Sequence, residues 1–171
     1  MCTCAGPRFR HGARVSTSLR AGGPVGVHRT RIEWIDTDAA GIYHNSTVVR
    51  FVEAAEASLM HGVGLHGYFP VAPRVRYEVD FEAPLFFGQD VCAVVEPVRI
   101  GTTSMTFDFE VWGEEFRGRP RRRAAHGRYV TVHIGGDHHG GAASAPWPTE
   151  WVAALTGPVG SPQDRPAYSL E

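Results

Sequence analysis

The sequence has no lysine; all 17 of its basic residues are arginine. That excludes a Schiff-base mechanism, which needs a lysine amine as nucleophile. Cysteine is nearly absent, with Cys2 and Cys4 near the start and Cys92 in an apolar stretch. An odd count without framework spacing fits a reducing compartment, here the cytoplasm, and Cys2-x-Cys4 lacks a second ligand pair at zinc-site spacing. No apolar run approaches the roughly 18 residues of a membrane span. The leader carries Arg8, Arg10, Arg14 and Arg20 but no apolar core, which argues against a secretory signal and leaves a transit peptide or a loose extension. Net charge is −1, so the bulk composition does not draw the chain to nucleic acid or an anionic membrane. A Gly-x-Ser-x-Gly nucleophile elbow is also missing.

What is present suits one folded domain. Of 171 residues, 43% are hydrophobic and 20% charged, enough apolar material for a core without disulfides. Residues 1–26, rich in Gly, Arg and Ser, are expected to be disordered, residues 27–156 to form the domain, and residues 157–171 to be a flexible tail. Residues 28–34 read as a half-buried strand. Asn45, Ser46 and Thr47 offer caps for a helix over 48–60, which Gly62 and Gly64 would stop. Four strands follow. Residues 74–81 send Val75, Tyr77, Val79 and Phe81 to one face and four charges to the other. Residues 91–100 contain Pro97, implying a bulge or a sheet edge. Residues 104–112 alternate around Met105, Phe107, Phe109 and Val111, and residues 124–134 close the series, with hairpin turns at 101–103 and 113–119. Residues 148–155 suit a short helix. A mostly apolar helix and a sheet with one apolar face bury each other if the sheet curls around the helix. The expected class is α+β: an antiparallel sheet of about five strands around one long central helix.

The stretch Trp34-Ile35-Asp36-Thr37-Asp38-Ala39-Ala40-Gly41-Ile42-Tyr43-His44-Asn45, with Phe51-x-Glu53 after it, carries the chemistry. Together with Phe81-Glu82-Ala83-Pro84-Leu85 and Gly88-Gln89-Asp90, it resembles the signature of the hotdog-fold 4-hydroxybenzoyl-CoA thioesterase-like family over roughly residues 27–134. Asn45 departs from the pattern, standing where many bacterial relatives carry His. On residue type alone, Asp36 and Asp38 in a glycine-containing turn are ordinary turn or cap residues. The resemblance implies that Asp38 is the catalytic carboxylate, nucleophile or general base on a thioester carbonyl, and that Asp36 is structural. It also implies that the backbone amide near Asn45 polarises that carbonyl. Amides at a helix start, with the positive end of the dipole, suit an oxyanion, and a thiolate leaves readily enough that no activated serine is needed.

Other expectations are secondary. Glu53 would orient a water or the thioester, or serve as a buried hydrogen-bonded carboxylate. Gly41, Tyr43 and His44 would line the substrate, and Arg99 with the hairpin through Thr103 and Ser104 would lie along pantetheine. The run containing Arg121, Arg122 and Arg123 would meet the phosphates of coenzyme A or form a solvated loop. His133, Asp137, His138 and His139 lack metal-ligand spacing, so no metal is expected, and no cofactor beyond the coenzyme A of the substrate. The resemblance implies an acyl-CoA thioesterase and a homo-oligomer with sites between protomers. The alternatives are a thioesterase acting on an acyl carrier protein, a hydratase or dehydratase, or a non-catalytic acyl-CoA binder. The Asp-x-Asn-Pro-x-His pattern of hydratases is absent.

Overall fold

The computed structural model describes residues 23–135 and 143–157. The leader with Cys2 and Cys4, the loop with Asp137, His138 and His139, and the tail beyond 157 lie outside these residues. The order of elements is β1 (Gly26–Arg31), α1 (Thr47–Gly62), β2 (Arg74–Phe81), β3 (Asp90–Ile100), β4 (Ser104–Gly113), β5 (Arg122–Val132), a small pair β6 (Ile134–Gly135) and β7 (Ala143–Ser144), and α2 (Thr149–Thr156). Five strands form one antiparallel sheet in the order β1-β3-β4-β5-β2. The sheet is that of a hotdog fold, with β1 and β2 at its edges; the β6–β7 pair was not foreseen in the sequence.

Period-two alternation does the packing. Met105, Phe107, Phe109 and Val111 of β4 and Tyr129 of β5 are buried on the inner face, against Val48, Phe51, Val52, Ala55 and Leu59 of α1. Charges occupy the outer face, where Arg128 holds Asp108 with two hydrogen bonds of 2.6 and 2.8 Å. Gly26 is required where β1 meets the helix: a Cβ there would lie 2.1 Å from the Ala55 carbonyl oxygen. The helix ends on a Schellman motif. Gly64, at φ +77°, donates to His61 O and Leu65 to Met60 O, so Gly64 makes the stop while Gly62 remains helical.

Three details differ from the sequence reading, while the bulge expected at Pro97 is present. β1 ends at Arg31, and Trp34–Asp36 form a 3-10 turn that leaves Trp34 75% exposed. The side chains of Asn45, Ser46 and Thr47 do not cap α1; Ser46 is already helical at φ −63°, ψ −23°, which takes its hydroxyl out of capping position. Pro97 lies in an interior strand beyond the end of its pairing with β1, beside a bulge between Pro97 and Arg99, so its missing N–H is not needed. A second bulge, between Arg74 and Arg76, breaks the alternation of β2. It turns Val75 outward, 61% exposed, and swings Arg74 inward to the helix.

Candidate active site

Residues 36–46 fold as a compact loop between β1 and α1. Asp36 is its anchor and is only 2% exposed. Its carboxylate accepts the Glu33 amide at 2.9 Å and pairs with Arg50 of α1. Its carbonyl accepts the His44 amide at 2.8 Å and the Thr47 hydroxyl at 3.4 Å. Asp36 thereby fixes the angle at which the loop enters the helix.

Asp38 sits higher in the same loop and is half-buried. Its Oδ1 accepts the amides of Ala40 at 2.8 Å and Ile42 at 3.4 Å, an Asx-type turn. Its own amide donates to Ile42 O at 2.9 Å, and Gly41, at φ +72°, returns a bond to Asp38 O. Oδ2 has no hydrogen-bond partner among the described residues. One carboxylate oxygen thus holds the turn while the other is free to accept.

The start of α1 is open. Thr47, Val48 and Val49 donate to the carbonyls of His44, Asn45 and Ser46, but the amides of Asn45 and Ser46 have no acceptor among the described residues. A side-chain cap would have occupied this site, and none is made. Two free amides at the positive end of a 16-residue helix form a place where negative charge is stabilised.

The other sequence candidates separate by location. Gly41, Tyr43, His44 and Asn45 stay with Asp38. Tyr43 is a core residue, 5% exposed, with its amide on Leu85 O and its hydroxyl pKa pushed up to about 12 by burial, so its side chain does not offer itself to a substrate. The loop is clamped by the segment after β2, where Ile42 bridges Phe86 and Gln89 ties Phe86 N to Glu114 O. Glu53 lies six residues into α1, about 9 Å along its axis, exposed and paired with Arg74. It is not at the helix start. Arg99, Thr103 and Ser104 are at the other end of the sheet. Arg31 and Asp90 mark the Asp38 end and Ile100 and Met105 the far end, with the ten residues of β4 spanning roughly 30 Å between. Within one chain, the hairpin at 101–104 and Asp38 do not meet. Arg99 instead borders an outer-face groove of about 630 Å³ with Arg76, Thr106 and Arg128.

The arginine run is divided. Arg123 holds Glu82 and Glu110, and Arg121 holds Glu114 while lying over Trp112. Their charge is already compensated. Arg117, Arg119 and Arg122 form no close ion pair among the described residues, although the charge of Arg122 acts on Glu82. Arg117 lies over Phe116, and Arg119 is 4.2 Å from the ring centroid of Phe86, the residue bridged to Ile42 beside Asp38. His133 gives Nδ1 to the carbonyls of Ala145 and Pro146 and stacks on Trp147.

A buried polar network was not read from the sequence. Glu56, 1% exposed, pairs with Arg74 and accepts the Tyr68 hydroxyl at 3.2 Å, which also contacts Thr131 at 2.9 Å. Burial raises the Glu56 pKa above the ordinary carboxylate value although Arg74 opposes it. The available signal was a carboxylate falling on the buried stripe of an apolar helix.

Comparison with known proteins follows the same outline. Residues 40–117 match the family described as the thioesterase superfamily, a stretch that begins two positions after Asp38. The chain is 27% identical over 97 residues to 1,4-dihydroxy-2-naphthoyl-CoA hydrolase of Thermosynechococcus vestitus, covering 53% of this chain and 66% of that relative. Its fold is similar to a predicted thioesterase from Bacillus stearothermophilus, with TM-score 0.64 and 26% identity over 77% of this chain and 93% of that one. The 4-hydroxybenzoyl-CoA thioesterase of Pseudomonas sp. strain CBS-3 aligns with TM-score 0.69 and 16% identity, over 77% and 99% of the two chains.

Proposed function

We propose that the chain is a hotdog-fold thioester hydrolase of the thioesterase superfamily, whose model matches residues 40–117, and that it hydrolyses acyl-CoA at Asp38. The observation that carries this reading is the pairing, in one loop, of a half-buried carboxylate with the two open amides of Asn45 and Ser46. The thioester carbonyl sits with its oxygen toward those amides, which stabilise the charge that grows there during attack. Asp38 either adds to the carbonyl carbon or takes a proton from the attacking water. The C–S bond breaks, the thiolate leaves and is protonated, and water supplies the oxygen of the free acid. The buried, free Cys92 thiol suits a cytoplasmic setting.

We also propose a homodimer. The edge strand β2 exposes Val75 and Phe81 and leaves backbone groups unpaired. Antiparallel pairing of two such edges about a two-fold axis sets the Asp38 end of one protomer beside the 101–104 end of its partner. The Arg99, Thr103 and Ser104 group, which cannot reach Asp38 within its own chain, would then serve the neighbouring site. The names of two of the three relatives specify hydroxylated aryl acyl groups, which makes such CoA thioesters the first substrates to assay. Acyl carrier protein thioesters are the second reading, supported by the exposed Trp34, Ile35 and Phe87 beside the loop. A thiol-release assay over aromatic, short and long acyl-CoAs and an acyl carrier protein tests both. No release from any of them overturns the hydrolase reading. Light scattering that gives a fully active monomer at micromolar concentration overturns the dimer.

A further inference from the structure

The first turn of α1 is charged against the usual rule. Helices favour acidic side chains in the first turn, at the positive end of the dipole, and cationic ones in the last. α1 has no acidic residue in its first turn, and its fourth residue is an arginine, Arg50. Within the helix alone that charge is out of place. Helical side chains lean toward the N-terminus, so a long arginine at this position reaches back over the first turn. There its guanidinium meets the carboxylate of Asp36 and lies 5.0 Å from the ring centroid of Phe51.

Asp36 supplies the reason. It is 2% exposed and stands directly behind the open amides. Its carbonyl accepts the His44 amide and the Thr47 hydroxyl, from the residues that flank Asn45 and Ser46. Of its carboxylate oxygens, Oδ2 accepts the Glu33 amide at 2.9 Å and Oδ1 accepts from Arg50, whose side chain is itself 55% exposed. A buried carboxylate so close to the helix start would oppose the negative charge that grows on a carbonyl oxygen there. Low-dielectric surroundings strengthen that opposition. The arginine cancels it. The field of Arg50 also reaches β1, where half-buried His28 has its pKa held below the ordinary value, first by burial and then by the Arg50 charge.

We propose that Arg50 is a positioning residue: by neutralising Asp36 it holds the open amides of Asn45 and Ser46 at a potential that favours an oxyanion. The inference rests on the thioesterase reading and deepens it, because it assigns part of the rate to a side chain that acts only through another. The same pair sets the direction of the amides, since the Asp36 carbonyl fixes the His44 N–H immediately before them.

The test uses the full-length protein with Arg50→Gln, Arg50→Lys and the double variant Asp36→Asn/Arg50→Gln. One arm measures kcat and KM on an acyl-CoA. Arg50→Gln leaves Asp36 uncompensated and should lower kcat by roughly ten- to a hundredfold, with KM changed by less than about threefold. Arg50→Lys keeps the charge without the planar fork and should retain most of the rate. The double variant removes both charges and should run at least about fivefold faster than Arg50→Gln, where a merely structural pair would give no recovery. The second arm needs no turnover. In an Asp38→Asn background, the infrared stretch of the carbonyl of bound benzoyl-CoA, isotopically labelled at that carbon, reports its polarisation. It should lie lower with Arg50, and in the double variant, than with Arg50→Gln alone. Either a double variant no faster than Arg50→Gln or a carbonyl stretch that ignores the charge overturns the proposal and leaves Arg50 to its packing over Phe51. If Arg50→Gln does not fold, the two variants that keep this pair neutral decide, and a kcat below about a tenth of wild type in either overturns it. If no thioester is turned over but the carbonyl stretch follows the charge, the hydrolase reading fails and the role of Arg50 stands.

Discussion

The loop before α1 and the network behind β2 hold carboxylates by opposite means. Asp38 is tied to amides two and four residues away. Glu56 is tied to Tyr68 and Arg74, and through Tyr68 to Thr131, 63 residues further on. The loop leaves a carboxylate oxygen and two amides free toward solvent. The network encloses its carboxylate and leaves donors free toward the interior. One region leaves its polar groups to solvent and the other closes them in, so substitutions in the two should separate loss of rate from loss of stability.

The largest expected effect is on the loop. Asp38→Asn keeps an oxygen to accept from Ala40 and Ile42, so the turn survives while the nucleophile or base is lost. A fall of about 10³ in kcat follows, close to 4 kcal/mol of barrier, with melting temperature nearly unchanged. Asp36→Asn is the contrast. It weakens a buried ion pair that positions the helix start, and it should cost about 1–3 kcal/mol of stability along with activity. Asp38→Asn retaining more than about a tenth of wild-type kcat would end the aspartate mechanism.

Next in size is Arg74→Met, which leaves Glu56 buried with no cation. Breaking one side of such a pair costs on the order of 3 kcal/mol, measurable as a lower urea midpoint. Adding Glu56→Gln should recover a good part of the loss, because the uncompensated charge is gone. Additive losses would place Arg74's value in its packing over Tyr129 instead.

These two regions also differ in what a reader of the sequence can see. The order of strands and helix, the inner face of β4 and the aspartate loop depend on spacing within a few residues, and all were legible. The alternation of β2 was misjudged because a one-residue bulge leaves no mark in residue types: Val75 was expected inside and Arg74 outside. The compensation of Arg121 and Arg123 by Glu114, Glu82 and Glu110 was equally hidden, since the partners lie up to 41 residues away. The closing of α1 by Gly64 rather than Gly62 turned on one positive φ.

A smaller effect is expected at the mouth of the loop. On the proposed reading, Arg117, Arg119 and Arg122, which form no ion pair among the described residues, would meet the phosphates of coenzyme A. Replacing all three with Gln should raise KM for an acyl-CoA by roughly three- to tenfold at low salt and spare kcat. The effect should shrink as salt shortens the reach of exposed charges to about 8 Å. A phosphate-free pantetheine thioester should show no change; an equal rise in its KM would return these residues to a solvated loop.

The smallest effect is a slope. Burial raises the pKa of Glu56 in the folded chain above the value it has when unfolded, despite the charge of Arg74 and the hydroxyl of Tyr68. Between those two values the native state binds the proton more readily than the unfolded state. Stability contributed by Glu56 is therefore complete below the ordinary carboxylate pKa and is lost as pH rises through the folded value. Glu56→Gln keeps shape and one of the two acceptor oxygens but does not titrate. Subtracting its urea-unfolding free energies from those of wild type cancels carboxylates of opposite behaviour, such as Glu82, whose pKa Arg123 holds low. The difference should move against wild type as pH climbs from the ordinary carboxylate range toward neutrality. A difference that stays level, or turns in favour of wild type, would mean that Arg74 compensates the buried charge fully. The network would then be a finished ion pair.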